Sequence, residues 1–318
     1  MYTPLPYGEN YLPRENGHKI YYAEFGNPSG VSIINCHGGP GGSSKPKHAS
    51  AYNLKKYRVV NFDQRGCGRS YPSGKIEGNK IIDLVLDMER LRNQLNITEW
   101  FVAGSSWGST LAIVYALNYP ERVKGLLLSA LFLGDSKTDK WAFRDNKGAA
   151  QLFPDVWQQL TDNLQEIAIN VDDENVSRQL LEKISSNDVS VRQKVSSIVA
   201  SWEVNLLSRN IALQYKRSDE VTDCDIDSVK VFLNYQANNY WLEDGYIIHN
   251  VEKIRDIPTI IVHGRYDILC PLSSAWELKQ LLANAELVVL PESHHLIAGD
   301  GEVARYYAYE NFLKTNTV

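Results

Sequence analysis

Short apolar runs recur through the first part of the chain, and polar or glycine-rich turns follow them. Three runs, at 19–26, 31–36 and 57–62, are rich in β-branched and aromatic residues, and the last two are closed by glycine-rich turns. Two more runs follow, at 100–104 and 125–130. Short apolar runs of this kind are typical of buried strands in a mainly parallel sheet.

Helical periodicity separates the later strands. Apolar residues recur at helical spacing over 81–95, and 107–118 forms a second helical pattern that stops before Pro120. Alternation of strands and helices predicts a parallel sheet with helices on both faces.

The pattern changes after residue 134. Between 135 and 250 we find amphipathic helical stretches but no convincing strand; examples are 156–169, 175–185 and 190–207. Strand patterns resume at 257–264 and 287–291, and a last helix is predicted over 302–313. A helical segment thus separates two pieces of one sheet along the chain. We therefore interpret 1–134 and 251–318 as the core and 135–250 as an inserted helical domain, which we call the cap.

Composition narrows the classes of partner. The 318 residues carry a net charge of -5 and no block of basic residues, which argues against nucleic acid as a partner. No apolar stretch approaches the roughly 18 residues that would span a membrane, and the N-terminus lacks a secretory pattern. The four cysteines are scattered without metal spacing. We therefore expect a cytoplasmic protein with reduced thiols and no metal.

A candidate nucleophile lies between a predicted strand and a predicted helix. Residues 104–108 read Gly-Ser-Ser-Trp-Gly and match G-x-S-x-G, with Ser106 at the centre. Small neighbours allow the sharp turn that exposes the serine oxygen at the carboxyl edge of the sheet. The context predicts the α/β-hydrolase fold, although a plain strand-to-helix turn would give the same five letters.

Serine needs a base, and the base needs an orienting acid. In this fold the acid and the histidine follow the serine on loops after late strands. Asp267 follows the strand predicted at 257–264, and the pair His294-His295 follows the strand at 287–291. The order along the chain therefore fits a Ser-Asp-His triad with either histidine.

The oxyanion of a tetrahedral intermediate also needs donors. The amide of Trp107 follows the nucleophile, and the glycine-rich loop at 37–42 offers a second amide, which we assign to Gly39. Such a loop could instead cradle phosphate, but the Gly-Lys-Ser/Thr ending of a phosphate loop is absent.

Five stretches together resemble the prolyl aminopeptidase (proline iminopeptidase) family. They are His37-Gly-Gly-Pro-Gly-Gly, Phe62-Asp-Gln-Arg-Gly-Cys-Gly-Arg-Ser, Asp87-Met-Glu-Arg-Leu-Arg, Gly104-Ser-Ser-Trp-Gly-Ser-Thr-Leu-Ala and Tyr119-Pro-Glu-Arg-Val. The resemblance implies release of an N-terminal residue, usually proline, from short peptides without metal or cofactor. It also matches Ser106 to the nucleophile, Asp267 to the acid and His295 to the base. The lead-in Glu292-Ser293-His294 departs from the family's glycine-rich pattern, so His294 remains an alternative base.

The cap would recognise the substrate amine. Trp202-Glu203 resembles the family's Trp-Glu pair, so Glu203 is the candidate partner of a substrate ammonium, against the alternative of a solvated helix glutamate. Where many members carry Glu-Asn-His-Tyr, residues 236–240 read Gln-Ala-Asn-Asn-Tyr, so a second amine-binding carboxylate is expected to be missing.

Two other functions stay open. A carboxylesterase or amidase of the same fold would use the same triad without a free-amine requirement, so that the substrate is a small peptide or an ester. A hydrolase-like binding protein would usually lose a triad member, whereas all three are present here.

Overall fold

An eight-stranded sheet forms the centre of the computed structural model, which describes residues 2–144, 147–207 and 217–317. The strands are β1 Gly8–Tyr11, β2 Tyr21–Gly26, β3 Val31–Cys36, β4 Tyr57–Phe62, β5 Trp100–Ser105, β6 Val123–Ser129, β7 Thr259–Gly264 and β8 Ala285–Leu290. Their order across the sheet is β1-β2-β4-β3-β5-β6-β7-β8. The pairings among β4, β3, β5, β6, β7 and β8 are parallel, whereas β1 and β2 run antiparallel to their neighbours. The prediction of a mainly parallel sheet is therefore confirmed.

Helices cover both faces of this sheet and fill the long connection between β6 and β7. They are α1 Pro46–Ala49, α2 Ile81–Gln94, α3 Trp107–Asn118, α4 Ser136–Asp139, α5 Pro154–Glu166, α6 Val176–Ile184, α7 Val189–Leu207, α8 Asp223–Ala237, α9 Tyr246–Asn250, α10 Leu272–Leu281 and α11 Asp300–Asn316. One apolar core lies under α2, α3 and α10, and a second lies under α1 and α11 on the opposite face. The central helix α3 is buried from Trp107 to Leu117, because it packs against the sheet and under the cap.

The connection between β6 and β7 contains α4 to α9, and its described residues include no strand. Helices α5 to α8 share an apolar core of their own. Residues 145–146 and 208–216 of the predicted cap lie outside the described part of the chain. We keep the name cap for residues 135–250.

Two further observations concern the cysteines and the helices. All four cysteines are unpaired; Cys36, Cys67 and Cys270 are buried and Cys224 is exposed. Among the described residues, no helix combines the length and the hydrophobicity needed to cross a bilayer.

Candidate active site

Ser106 sits on the tight turn that joins β5 to α3. Its backbone has φ 56° and ψ -129°, and its amide donates to Ser129 O at 3.1 Å. The two flanking glycines are required by close approach: a Cβ at Gly104 would lie 2.0 Å from Gly108 O, and one at Gly108 would lie 2.1 Å from Cys36 O. Any side chain at either position would push the helix away from the sheet, so the G-x-S-x-G pattern has a steric basis here.

His295 lies between Ser106 and Asp267. Its Nε2 is 3.0 Å from Ser106 Oγ, and its Nδ1 is 3.0 and 2.9 Å from the two carboxylate oxygens of Asp267. Asp267 follows β7 and His295 follows β8, and both side chains are buried. His294 points elsewhere and packs against the ring of Tyr266, with 5.8 Å between centroids. Of the two histidines named from the sequence, the structure brings His295 to the serine.

The Asp267 carboxylate is held by neighbours besides His295. The amide of Cys270 donates to Asp267 Oδ1 at 2.8 Å. The Nδ1 atom of His263 accepts a hydrogen bond from the Leu131 amide, so Nε2 carries the proton. This Nε2–H donates to Cys270 O at 2.9 Å, and Asp267 Oδ2 lies 3.4 Å from the same nitrogen. These contacts place His263 behind the acid, where it supports the position of the Asp267 carboxylate.

The local charges alter the pKa of the base. Burial lowers the pKa of His295, but the charge of Asp267, its hydrogen bond and the charge of Glu203 together outweigh burial, so the pKa lies above its ordinary value. A buried carboxylate opposite Nδ1 fixes the tautomer whose Nε2 lone pair faces Ser106 Oγ. The arrangement can therefore accept a proton from the serine.

The glycine-rich loop after β3 lies against the serine. A Cβ on Gly38 would be 3.3 Å from Ser106 Cβ, and Gly39 lines the pocket around Ser106. Trp107 is the first residue of α3, so its amide has no acceptor within the helix. These positions suit the two oxyanion donors named from the sequence.

Gln64 ties the glycine-rich loop to the helix that carries the nucleophile. Its side chain donates to His37 O at 2.9 Å and accepts from Trp107 Nε1 at 2.8 Å. Its amide also donates to His37 Nε2 at 3.0 Å. The neighbouring Asp63 accepts four hydrogen bonds from Ser44 and Arg69. The charged turn at 62–70 thus holds loops in place.

Glu203 of α7 lies in the wall of the pocket at Ser106. It is partly buried, and within the described part of the chain it has no hydrogen bond or ion pair. Burial raises the pKa of its carboxyl group, an effect that the charge of His295 opposes. A desolvated carboxylate without a partner is unusual, because an isolated buried charge is costly.

Two spaces meet at Ser106, Gly39 and Glu203. One is a narrow side pocket with largely apolar walls, formed by Phe132, Ala142, Phe143, Phe232, Tyr240 and Leu269. The other is an open cavity of about 670 Å³ that continues past His295. A substrate acyl group and its leaving group can therefore occupy separate spaces on either side of the serine oxygen.

The side pocket contains a carboxylate that the sequence analysis did not find. Asp139 of α4 is buried in its wall, and its Oδ1 accepts from Gln236 Nε2 at 2.8 Å and Tyr240 Oη at 3.2 Å. Gln236 also accepts from Ser177 Oγ at 2.8 Å. Gln236 falls in the stretch where a second carboxylate was expected to be missing. Its side chain instead donates a hydrogen bond to the carboxylate of Asp139, which belongs to α4.

Among the residues that the structure describes, one group has the spacing of metal ligands, and it overlaps the triad. Ligand atoms of Asp267, Cys270 and His295 lie within 4.8 Å of one another. A metal would need the Cys270 thiolate, but burial raises the pKa of this thiol well above its usual range. It would also replace the hydrogen bonds between Asp267 and His295. The residues fit a hydrogen-bonded triad better than a metal centre.

The fold and the site together define a serine hydrolase. The family model for the alpha/beta hydrolase fold matches residues 31–302. An alpha/beta fold family hydrolase from Bacillus anthracis superposes with a TM-score of 0.62, covering 98% of this chain and 100% of that one, at 18% identity. The chain is therefore an α/β-hydrolase.

Curated relatives narrow this class. A proline iminopeptidase of Neisseria gonorrhoeae is 37% identical over 294 residues, which cover 91% of this chain and 91% of that protein. A proline iminopeptidase of Arabidopsis thaliana is 34% identical, covering 93% of this chain and 77% of that protein. The chain belongs to the proline iminopeptidase family, and the resemblance noted in its motifs is confirmed.

Proposed function

We propose that the chain is a serine aminopeptidase that releases N-terminal proline, or a similar small apolar residue, from short peptides. The observation that carries this proposal is the partly buried Glu203 carboxylate beside the Ser106 nucleophile, which has no hydrogen bond or ion pair with the residues that the structure describes. An ammonium is the group that such a carboxylate would bind, because the pair offsets the cost of burial for both charges. The names of the relatives support the same activity.

The side pocket suits one small apolar residue. Its walls are mostly aromatic and aliphatic, and Glu203 stands where it opens toward Ser106. A pyrrolidine ring in this pocket would place its own nitrogen, which is the amino terminus, near Glu203. Asp139 adds a second negative charge to the same pocket. A substrate with more than one residue before the scissile bond would not fit, which limits the reaction to the first residue.

The proposed chemistry follows from the distances. Ser106 Oγ attacks the carbonyl carbon of the first residue as His295 Nε2, 3.0 Å away, takes its proton. The amides of Gly39 and Trp107 bind the oxyanion. His295 then returns the proton to the leaving amine, and a water molecule, activated by the same histidine, hydrolyses the ester on Ser106.

A four-substrate comparison tests the proposal on one enzyme preparation. We expect kcat/KM to be highest for proline β-naphthylamide, lower for alanine β-naphthylamide and much lower for N-acetylproline β-naphthylamide. p-Nitrophenyl acetate measures hydrolysis without an amine. Equal rates on the free and acetylated naphthylamides would favour the carboxylesterase or amidase alternative.

A further inference from the structure

The open cavity on the leaving-group side of Ser106 has a basic wall, formed by residues that do not line the side pocket. Lys45, Lys47, His48 and Arg305 line it, and Glu302 is the acidic residue among them. Glu302 is already paired with Lys47 at 2.9 Å. The wall therefore keeps an excess of positive charge, whereas Glu203 lies at the opposite, side-pocket end beside Ser106.

Arg305 of α11 is the most informative of these residues. Within the described part of the chain its guanidinium makes no ion pair or hydrogen bond, and its Nε is buried without a partner. Most buried N–H groups in proteins are satisfied, so an exception calls for an explanation. The terminal Nη groups are not among the buried atoms, and Arg305 lines the cavity, so an anionic ligand there would reach the guanidinium through these groups and give it a counter-charge, because the paired Nη donors match a carboxylate.

The neighbours of Arg305 in the cavity wall do not cancel its positive charge. Burial, followed by the charges of His37, Arg305 and Lys45, lowers the pKa of His48 to about 4, so this imidazole is neutral at pH 7. Its Nδ1 accepts from the Lys45 amide at 3.3 Å, which leaves the Nε2–H as a donor. The stacked rings of Tyr52 and Tyr309, 6.0 Å apart, lie beside Arg305 in the same cavity. Within the described part of the chain, the carboxylates that line this cavity are Glu302, which is paired with Lys47, and Glu203, which lies beside Ser106 at the side pocket.

The two ends of the site thus carry opposite charges, with the reacting serine between them. A short peptide has the complementary pattern, with an ammonium at its first residue and a carboxylate at its last. Given the aminopeptidase activity proposed above, on which this inference rests, we propose that Arg305, aided by Lys45, binds the C-terminal carboxylate of dipeptide and tripeptide substrates. The enzyme would then select short peptides with free C-termini.

The test compares three substrates that share an N-terminal proline. These are prolyl-alanine, prolyl-alanine amide and proline β-naphthylamide, which differ in the presence of a terminal carboxylate. In the wild type, kcat/KM should be about tenfold or more higher for the free acid than for the amide, the size of effect expected for a hydrogen bond to a charged group. This ratio needs no variant, so it stands even if a substitution disturbs folding.

Substitutions then locate the effect. Arg305→Met should lower kcat/KM for prolyl-alanine about tenfold and leave the amide and the naphthylamide nearly unchanged, whereas Arg305→Lys should retain part of the preference. Lys314→Met is the matched control, because Lys314 is on the same helix, pairs with Glu310 and does not line the cavity. It should change none of the three rates.

The outcomes separate this inference from the proposed function. Equal wild-type rates on the acid and the amide, with good turnover of the naphthylamide, would overturn the carboxylate site alone. Equal losses on all three substrates in Arg305→Met would give Arg305 a structural role and also overturn it. No turnover of any prolyl substrate would instead overturn the aminopeptidase proposal.

Discussion

Replacing Glu203 with glutamine removes the charge that we assign to substrate binding and changes little else. The amide is nearly isosteric, and the glutamate has no partner among the described residues that the change would strand. For a free-amine substrate, the ammonium would then be held in a partly desolvated pocket without its main counter-charge. Breaking a buried, hydrogen-bonded charge pair costs about 2–5 kcal/mol. Because Glu203 also faces the open cavity and Asp139 supplies a second charge, we take about 2–3 kcal/mol.

That range corresponds to a fall in kcat/KM of roughly 30- to 150-fold for proline β-naphthylamide. The assay is the ratio of this rate to that for p-nitrophenyl acetate, which has no ammonium and should change little. Using the ratio removes losses from partial misfolding, because these lower both rates alike. Equal losses on both substrates would refute the reasoning and make Glu203 a structural residue.

Four further predictions concern the triad and its coupling to Glu203. Ser106→Ala should abolish hydrolysis with little change in Tm, and a fluorophosphonate should label the wild type but not this variant. His295→Ala should lose most of the rate and His294→Ala should keep much of it, since His294 contacts Tyr266 instead of the serine; the reverse pattern would move the base by one residue. Because the pKa of His295 is raised and the base acts when neutral, kcat/KM for p-nitrophenyl acetate should rise with pH through a midpoint above the ordinary 6.5. Glu203→Gln removes one of the charges that raise this pKa, so the midpoint should move to lower pH, and an unchanged midpoint would contradict the coupling.

The parts of the fold that the sequence predicted well are those with local signals. The apolar runs of β3 to β7 are buried on both faces, so their hydrophobicity is continuous and easy to recognise. The helix at 107–118 was predicted at the bounds that the structure shows. In contrast, β1 is an edge strand with mostly exposed residues, and no hydrophobic pattern marks it. Helix α10 was not predicted either, and α8 falls in the segment expected to be helical but was given no bounds of its own.

The residues of the candidate site also separate into those that local sequence patterns predict and those that only the fold reveals. Ser106 and Asp267 follow from a turn motif and from positions after strands, which are properties of neighbouring residues. The choice of His295 over His294 depends on how one loop is directed relative to another, which no local pattern records. Asp139 and Arg305 reach the site from helices distant in sequence, so only the folded chain shows that they face it.

The backbone of Ser106 has a consequence for the stability of the whole protein. With φ 56° and ψ -129°, this residue occupies a region that is open to glycine but costs other residues on the order of 1–3 kcal/mol. The surrounding sheet and helix hold it there, so the folded state carries this energy permanently. A glycine at position 106 would relieve it and yield a protein that is more stable and has no nucleophile. Mutation and selection for thermostability alone would therefore tend to remove the catalytic group, and any stability screen of this enzyme needs an activity measurement beside it.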